Sequence, residues 1–315
     1  MSTESTRNGT LRTNGFPVPR PPGDDTHDRH GTHDGSDTDD APAPGTRETV
    51  DRLIALRRRL ERSDLRPGPV VDAAFGELVG LCTHPPRGCG ADVLDRLGAH
   101  ADALRAIAAA GEGHMERYWS ARIAAAPDPY AELQRFPYLA NYEDLVQLEL
   151  AALDAACVPR PGRVVLLGSG PLPLTGLVLA TRYGAEVLHV DRDADAVAAG
   201  SAMAAATCMD AGVRSLVADL EAPTLDDELV TELGHADVVL VGALVGADAA
   251  AKAEVVARLA AVVGSGAHLL VRSAHGLRTL LYPEIGPLDL PSCEVLVEVH
   301  PHTEVVNSVL VGRCR

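Results

Sequence analysis

Apolar positions along the chain follow two different periods. Leu53, Leu56 and Leu60 recur at helical spacing with Val50 and Ile54 beside them, while Arg52, Arg58 and Arg59 occupy other positions, which predicts an amphipathic helix from Thr46. Pro69 opens a second pattern through Val71, Ala74, Phe75, Leu78 and Cys82, and Pro85 and Pro86 forbid its continuation. The alanine- and leucine-rich stretch 91–126, with Gly111 and Gly113 as breakers, predicts two more helices. A further helix, started by Pro137, carries Tyr138 and Tyr142 near its beginning and continues as Leu145, Leu148, Glu149 and Ala152. From Arg163 onward the period changes to short apolar runs, at 163–167, 186–191, 213–217, 236–242, 266–273, 295–299 and 306–311, with a helix at 249–263. The last two runs, joined by His300-Pro-His-Thr-Glu, read as an antiparallel closing hairpin. The expectation is α/β: an N-terminal helical bundle at 46–157 followed by a Rossmann-like seven-stranded sheet at 158–315. Residues 1–45 hold hardly an aliphatic, cannot offset their ordering entropy by burial, and are expected to be a disordered tail.

The first apolar run breaks abruptly into Gly168-Ser169-Gly170, and a helical pattern follows. Glycines there let the backbone approach a ligand closely, and the following helix aims its first N–H groups at it. Gly168, Ser169 and Gly170 are therefore candidate binders of a nucleoside cofactor. The second run ends in Asp191, placed to accept from both hydroxyls of a ribose. A dinucleotide fingerprint needs a third glycine where Pro173 stands, so a pyrophosphate would lack its cradle of N–H groups. S-adenosylmethionine (SAM) carries no phosphate and tolerates this loop, which makes the sheet of the SAM-dependent methyltransferase type. Asp219, after the third run, is a candidate for the adenine side.

Composition narrows the partners. A formal charge of −16 opposes binding to a nucleic-acid backbone or an anionic membrane, leaving a small polar molecule as the natural ligand. The six cysteines form no C-x-x-C pair and read as reduced thiols, no segment reads as a signal peptide or a membrane span, and a cytoplasmic location is expected. His84 with Cys89 has no matching second pair, and His27, His30 and His33 fit a solvated tail, so no metal is expected. Aromatics are only 3% of residues, so their concentration at 112–120 and 136–142 is informative. Phe136 and Tyr142 read as core aromatics, Glu112 and Tyr138 as site residues, and a role for His275 at the end of the fifth run is open.

Taken together, Glu112-Gly-x-Met-Glu116, Phe136-Pro-Tyr138 with Asn141-Tyr142, Gly168-Ser-Gly-Pro-Leu-Pro-Leu-Thr175, Arg272-Ser-Ala-His-Gly276 with Leu281-Tyr-Pro283, and His300-Pro with Glu304-Val-Val-Asn-Ser308 resemble the nicotianamine synthase family in content and order. The resemblance implies that SAM is a substrate whose 3-amino-3-carboxypropyl arm passes to an amine, releasing methylthioadenosine in metallophore or specialised-metabolite biosynthesis. It also implies that Glu112 and Tyr138 face the reacting carbon. Leu139 departs from the pattern, where a second tyrosine is common, and alters the acceptor pocket. The chemistry is consistent, since a sulfonium activates Cγ as well as the methyl carbon and the positioned amine decides which reacts. A small-molecule amine or amino acid is the expected acceptor, with a homodimer as an open option. Cyclisation of SAM to azetidine-2-carboxylate and conventional methyl transfer remain alternatives.

Overall fold

The structure, a computed structural model, describes residues 45–88, 90–246, 248–264 and 267–314. Apart from Gly45, the tail expected at 1–45 lies outside them, as does Cys89. Six helices come first: α1 (Thr46–Leu60), α2 (Pro69–Thr83), α3 (Gly90–Leu97), α4 (Ala99–Ala124), α5 (Pro129–Leu133) and α6 (Leu139–Ala155). Leu53, Leu56 and Leu60 bury the α1 stripe against Leu78, Val93, Leu97 and Leu104. Gly98, at φ +49, separates α3 from α4, a left-handed turn that costs glycine little. Gly111 and Gly113 do not interrupt α4. The missing side chain of Gly111 makes room for Phe75, whose Cζ would lie 2.2 Å from an added Cβ. Tyr138 is the N-cap residue of α6, so Pro137 precedes that helix instead of opening it. Unanticipated from sequence, α5 begins with Pro129 in its first turn and Asp128 accepting from the Ala131 N–H.

The remainder alternates as β1 (Arg163–Leu167), α7 (Leu174–Tyr183), β2 (Glu186–Asp191), α8 (Ala194–Ala206), β3 (Val213–Val217), α9 (Asp227–His235), β4 (Val238–Val241), α10 (Ala249–Val262), β5 (His268–Ser273), β6 (Cys293–Val299) and β7 (Ser308–Cys314). The seven-stranded sheet runs in the order β3-β2-β1-β4-β5-β7-β6. The first five strands are parallel, and β7 is antiparallel to both β5 and β6. Alternate residues bury both faces: Val165, Leu167, Val239, Val241, Leu269 and Val271 on one, Val164, Leu166, Val238, Leu240 and Leu270 on the other. Such two-sided burial is why these strands read as continuous apolar runs. β7 begins later than expected, at Ser308, which pairs with Ser273.

Two helices of the first half pack directly on this layer. Leu145, Val146 and Leu153 of α6 join the core beneath one sheet face. α4 lies along α8, where Ser120 Oγ donates to the Ala199 carbonyl at 3.0 Å. The strand order reverses between β1 and β4, and in open α/β sheets a crevice forms at the C-terminal ends beside that point.

Candidate active site

The crevice is floored by the turn after β1. Gly168 and Gly170 adopt φ +73 and +65, and a Cβ on Gly168 would stand 2.5 Å from Val245. The Gly168 and Ser169 N–H groups both donate to the Val190 carbonyl, at 2.9 and 3.1 Å. Asp191, at the end of β2, accepts the Gly170 N–H at 2.8 Å through one carboxylate oxygen and the Asp193 N–H at 3.0 Å through the other. The residue singled out for a ribose thus also clamps the glycine turn. Asp219 is exposed at the end of β3, where it accepts the Glu221 N–H at 2.9 Å.

α4 brings carboxylates to the other side of the turn. Glu116 Oε2 lies 2.6 Å from the position a Gly170 Cβ would take, so this side chain rests on the turn itself. The Tyr142 hydroxyl donates to Glu116 Oε1 at 3.0 Å. One helical turn earlier, Glu112 receives a hydrogen bond from Tyr282, which follows a 3-10 turn at Gly276–Leu280, and feels the Arg272 guanidinium. Burial pushes the Glu112 carboxyl up to about 7 against the pull of Tyr282 and Arg272. Glu116 is pushed well above the carboxylate range, first by burial and then by the Glu112 charge, with Asp191 adding to it. Burial also raises Tyr142 and Tyr282, and the nearby carboxylates reinforce it, so both hydroxyls stay protonated donors.

The ends of β4 and β5 form the remaining wall. Arg272 is buried, with Nε on Glu149 Oε1 and an Nη on Thr175 Oγ1, each at 2.7 Å. Lys252, fully buried, donates to the carbonyls of Gly242, Ala243 and Arg272 at 3.0, 2.6 and 3.0 Å. Burial lowers its amine to about 7. Gly242 is close-packed against β1, since a Cβ there would be 2.9 Å from the Leu167 carbonyl. This one ammonium therefore ties β4, packed on the glycine turn, to the backbone of Arg272.

Of the residues singled out from sequence, Gly168, Ser169, Gly170 and Asp191 meet in the turn after β1, and Glu112 lies near Glu116, which rests on that turn. Tyr138 packs edge-on against Phe136 at 5.8 Å, and burial and Asp72 raise its hydroxyl. The tyrosines bonded to the α4 carboxylates are Tyr142, read from sequence as core, and Tyr282. Glu112 and Glu116 repeat one helical turn apart, as do Tyr138 and Tyr142, so spacing alone does not choose between the members of each pair. His275 stacks on His300 at 4.1 Å, and His300 Nδ1 pairs with Ser308 Oγ at 2.9 Å. Among the described residues no group of three or more His, Cys, Asp or Glu could hold a metal ion. Likewise none of their helices is long and apolar enough to cross a membrane.

A sheet of this order, a glycine turn clamped by the β2 aspartate and an acidic helical cover define an α/β enzyme of the SAM-dependent methyltransferase fold, with the half-buried α4 acid pair added. Residues 44–315 match the family model described as nicotianamine synthase protein. Nicotianamine synthase 3 of Oryza sativa subsp. indica is 38% identical over 286 residues, covering 86% of this chain and 80% of that protein. Nicotianamine synthase 9 of Hordeum vulgare is 40% identical over 262 residues, covering 80% and 74%. The chain belongs to the nicotianamine synthase family. Among solved structures, that of MtNAS in complex with MTA and tNA matches with a TM-score of 0.73 at 22% identity, covering 84% of this chain and 97% of that one.

Proposed function

We propose that this enzyme transfers the 3-amino-3-carboxypropyl group of SAM to a small-molecule amine, releasing methylthioadenosine. The carrying observation is Glu112, a half-buried carboxyl held by Tyr282 and raised by desolvation to about 7, near the Glu116 side chain that rests on the glycine turn clamped by Asp191. An incoming amine is mostly ammonium near neutral pH and must lose a proton before it attacks. Glu112 is poised to take it, since a general base works best with a pKa near the operating pH. The amine lone pair then forms the bond to Cγ, the Cγ–S bond breaks with its electrons remaining on sulfur, and the sulfonium becomes a neutral thioether. Tyr282 holds Glu112 in place, and Asp191 and the turn residues Gly168, Ser169 and Gly170 hold the nucleoside. On this reading residues 46–157 supply the acidic cover and 158–315 the nucleoside side, in a cytoplasmic protein acting alone or as a homodimer.

Incubation with SAM, with and without a panel of amines, followed by mass spectrometry tests the reading. Methylthioadenosine with an aminocarboxypropylated amine, or with nicotianamine from SAM alone, is expected. S-adenosylhomocysteine as spent product would establish methyl transfer instead, and azetidine-2-carboxylate as sole amino-acid product would establish cyclisation.

A further inference from the structure

Two buried cysteines face each other on the last two strands. Cys293 opens β6 and Cys314 closes β7, and the antiparallel register sets them directly opposite one another. Both side chains lie in the same core cluster, with Leu290 and Leu310, and the Cys314 thiol is hydrogen-bonded to that of Cys293. Gly312, also on β7, leaves the room this approach needs, since a Cβ there would stand 3.2 Å from the Cys293 Cβ. Directly opposed residues of antiparallel strands have Cα atoms about 4.5–5.5 Å apart, inside the span of about 4.4–6.8 Å that a disulfide bridges without backbone movement. Both cysteines are free thiols in this structure.

We propose that Cys293 and Cys314 form a reversible disulfide site, closed by a small-molecule disulfide such as oxidised glutathione. The thiolate of one cysteine attacks a sulfur of the oxidant, giving a mixed disulfide and releasing one small thiol. The thiolate of the other then attacks the protein sulfur of that mixed disulfide, forming the bond between Cys293 and Cys314 and releasing the second small thiol. Two protein thiols are oxidised, one small disulfide is reduced, and the two protons end on the released thiols. The bond to Cys293, together with burial, pushes the Cys314 thiol up, so the exchange is slow at neutral pH. The link closes a loop that contains residues 300–307. Within that segment the Thr303 carbonyl accepts from Arg278 at 2.8 Å and the Glu304 carbonyl from Asn141 of α6 at 2.9 Å. Oxidation thus ties together the two strands that carry the segment reaching α6.

The full chain, incubated at mildly alkaline pH with oxidised glutathione in excess over reduced, then acid-quenched, alkylated and digested, tests this by mass spectrometry. The peptides holding Cys293 and Cys314 should be recovered joined, and dithiothreitol should separate them. The thermal midpoint of the oxidised protein should rise by roughly 5 °C, the size expected when a loop of about 20 residues is closed in a chain this long. Cys293→Ala and Cys314→Ala should each abolish both the link and the rise. Cys157 and Cys208, which are exposed, report whether the oxidant is active. Glutathione retained at Cys293 or Cys314 without linkage, modification of Cys157 and Cys208 alone, or linkage only after unfolding in urea would each overturn the proposal.

Discussion

Truncation of Asp191 separates two jobs that the structure combines in one side chain. Asp191→Ala deletes the acceptors of the Gly170 and Asp193 N–H groups, bonds of 2.8 and 3.0 Å. Hydrogen bonds to a charged acceptor contribute about 1.5–3 kcal/mol each. Both are partly buried, so water reaches the freed N–H groups and the lower end of that range applies, about 3 kcal/mol for the two before relaxation. Allowing for the turn to relax, the ligand-free variant should lose about 2 kcal/mol of stability. In urea, with a slope on the order of 2–3 kcal/mol per molar, the midpoint should fall by nearly 1 M. Asp191→Asn keeps one acceptor and should recover about half of the loss. An unchanged midpoint for Asp191→Ala, with only ligand affinity reduced, would refute the argument that this carboxylate clamps the glycine turn.

Glu112→Gln should lower kcat on the order of 10²-fold with SAM affinity nearly preserved, measured by steady-state kinetics and calorimetry. Because burial raises this carboxyl to about 7, the base form is lost as pH falls through 7 and kcat should fall with it. The stability sign is opposite: the folded state keeps a proton that the unfolded chain gives up from about 4.5, so this group's contribution diminishes as pH rises from 4.5 to 7, and Glu112→Gln should flatten that limb in urea titrations. Gly111→Ala puts a methyl 2.2 Å from Phe75 Cζ and should cost about 1–3 kcal/mol by denaturation, with a null effect showing that Phe75 rotates away freely. Lys252→Arg cannot fit its planar fork to three converging carbonyls and should destabilise by at least about 3 kcal/mol, checked by thermal unfolding.

What the chain discloses in advance is what local physics decides. The glycine turn and Asp191 are readable because the backbone demands them within a few residues of one strand end, and the buried strands are readable because both faces must be apolar. The expectation of a last strand at 306–311 starts early because Val306, like Val305 before it, is as apolar as a strand residue. Their burial has another purpose, Val305 packing with the α6 core and Val306 against the helical core at Leu277 and Leu281. The choice between Tyr138 and Tyr142 was not readable either. Both pairs of residues repeat with the helix, so only the docking of α4 on α8 and of α6 on the sheet decides which tyrosine meets which carboxylate.

Lys252 shows that a tertiary requirement can still leave a mark in composition. It is the sole lysine among 28 basic residues, the others all being arginine. A chain that meets nearly every need for positive charge with guanidinium groups keeps an ammonium where three carbonyls converge at the ends of β4 and β5. The requirement there is geometric: a compact tripod of donors on a thin stem fits a buried site that a wide planar fork would overfill. The same site ties the glycine turn to Arg272, through Gly242 packed on β1 at one end and the Arg272 carbonyl at the other. The scarcity of lysine thus points to the place where the ends of β4 and β5 are joined by a single buried side chain.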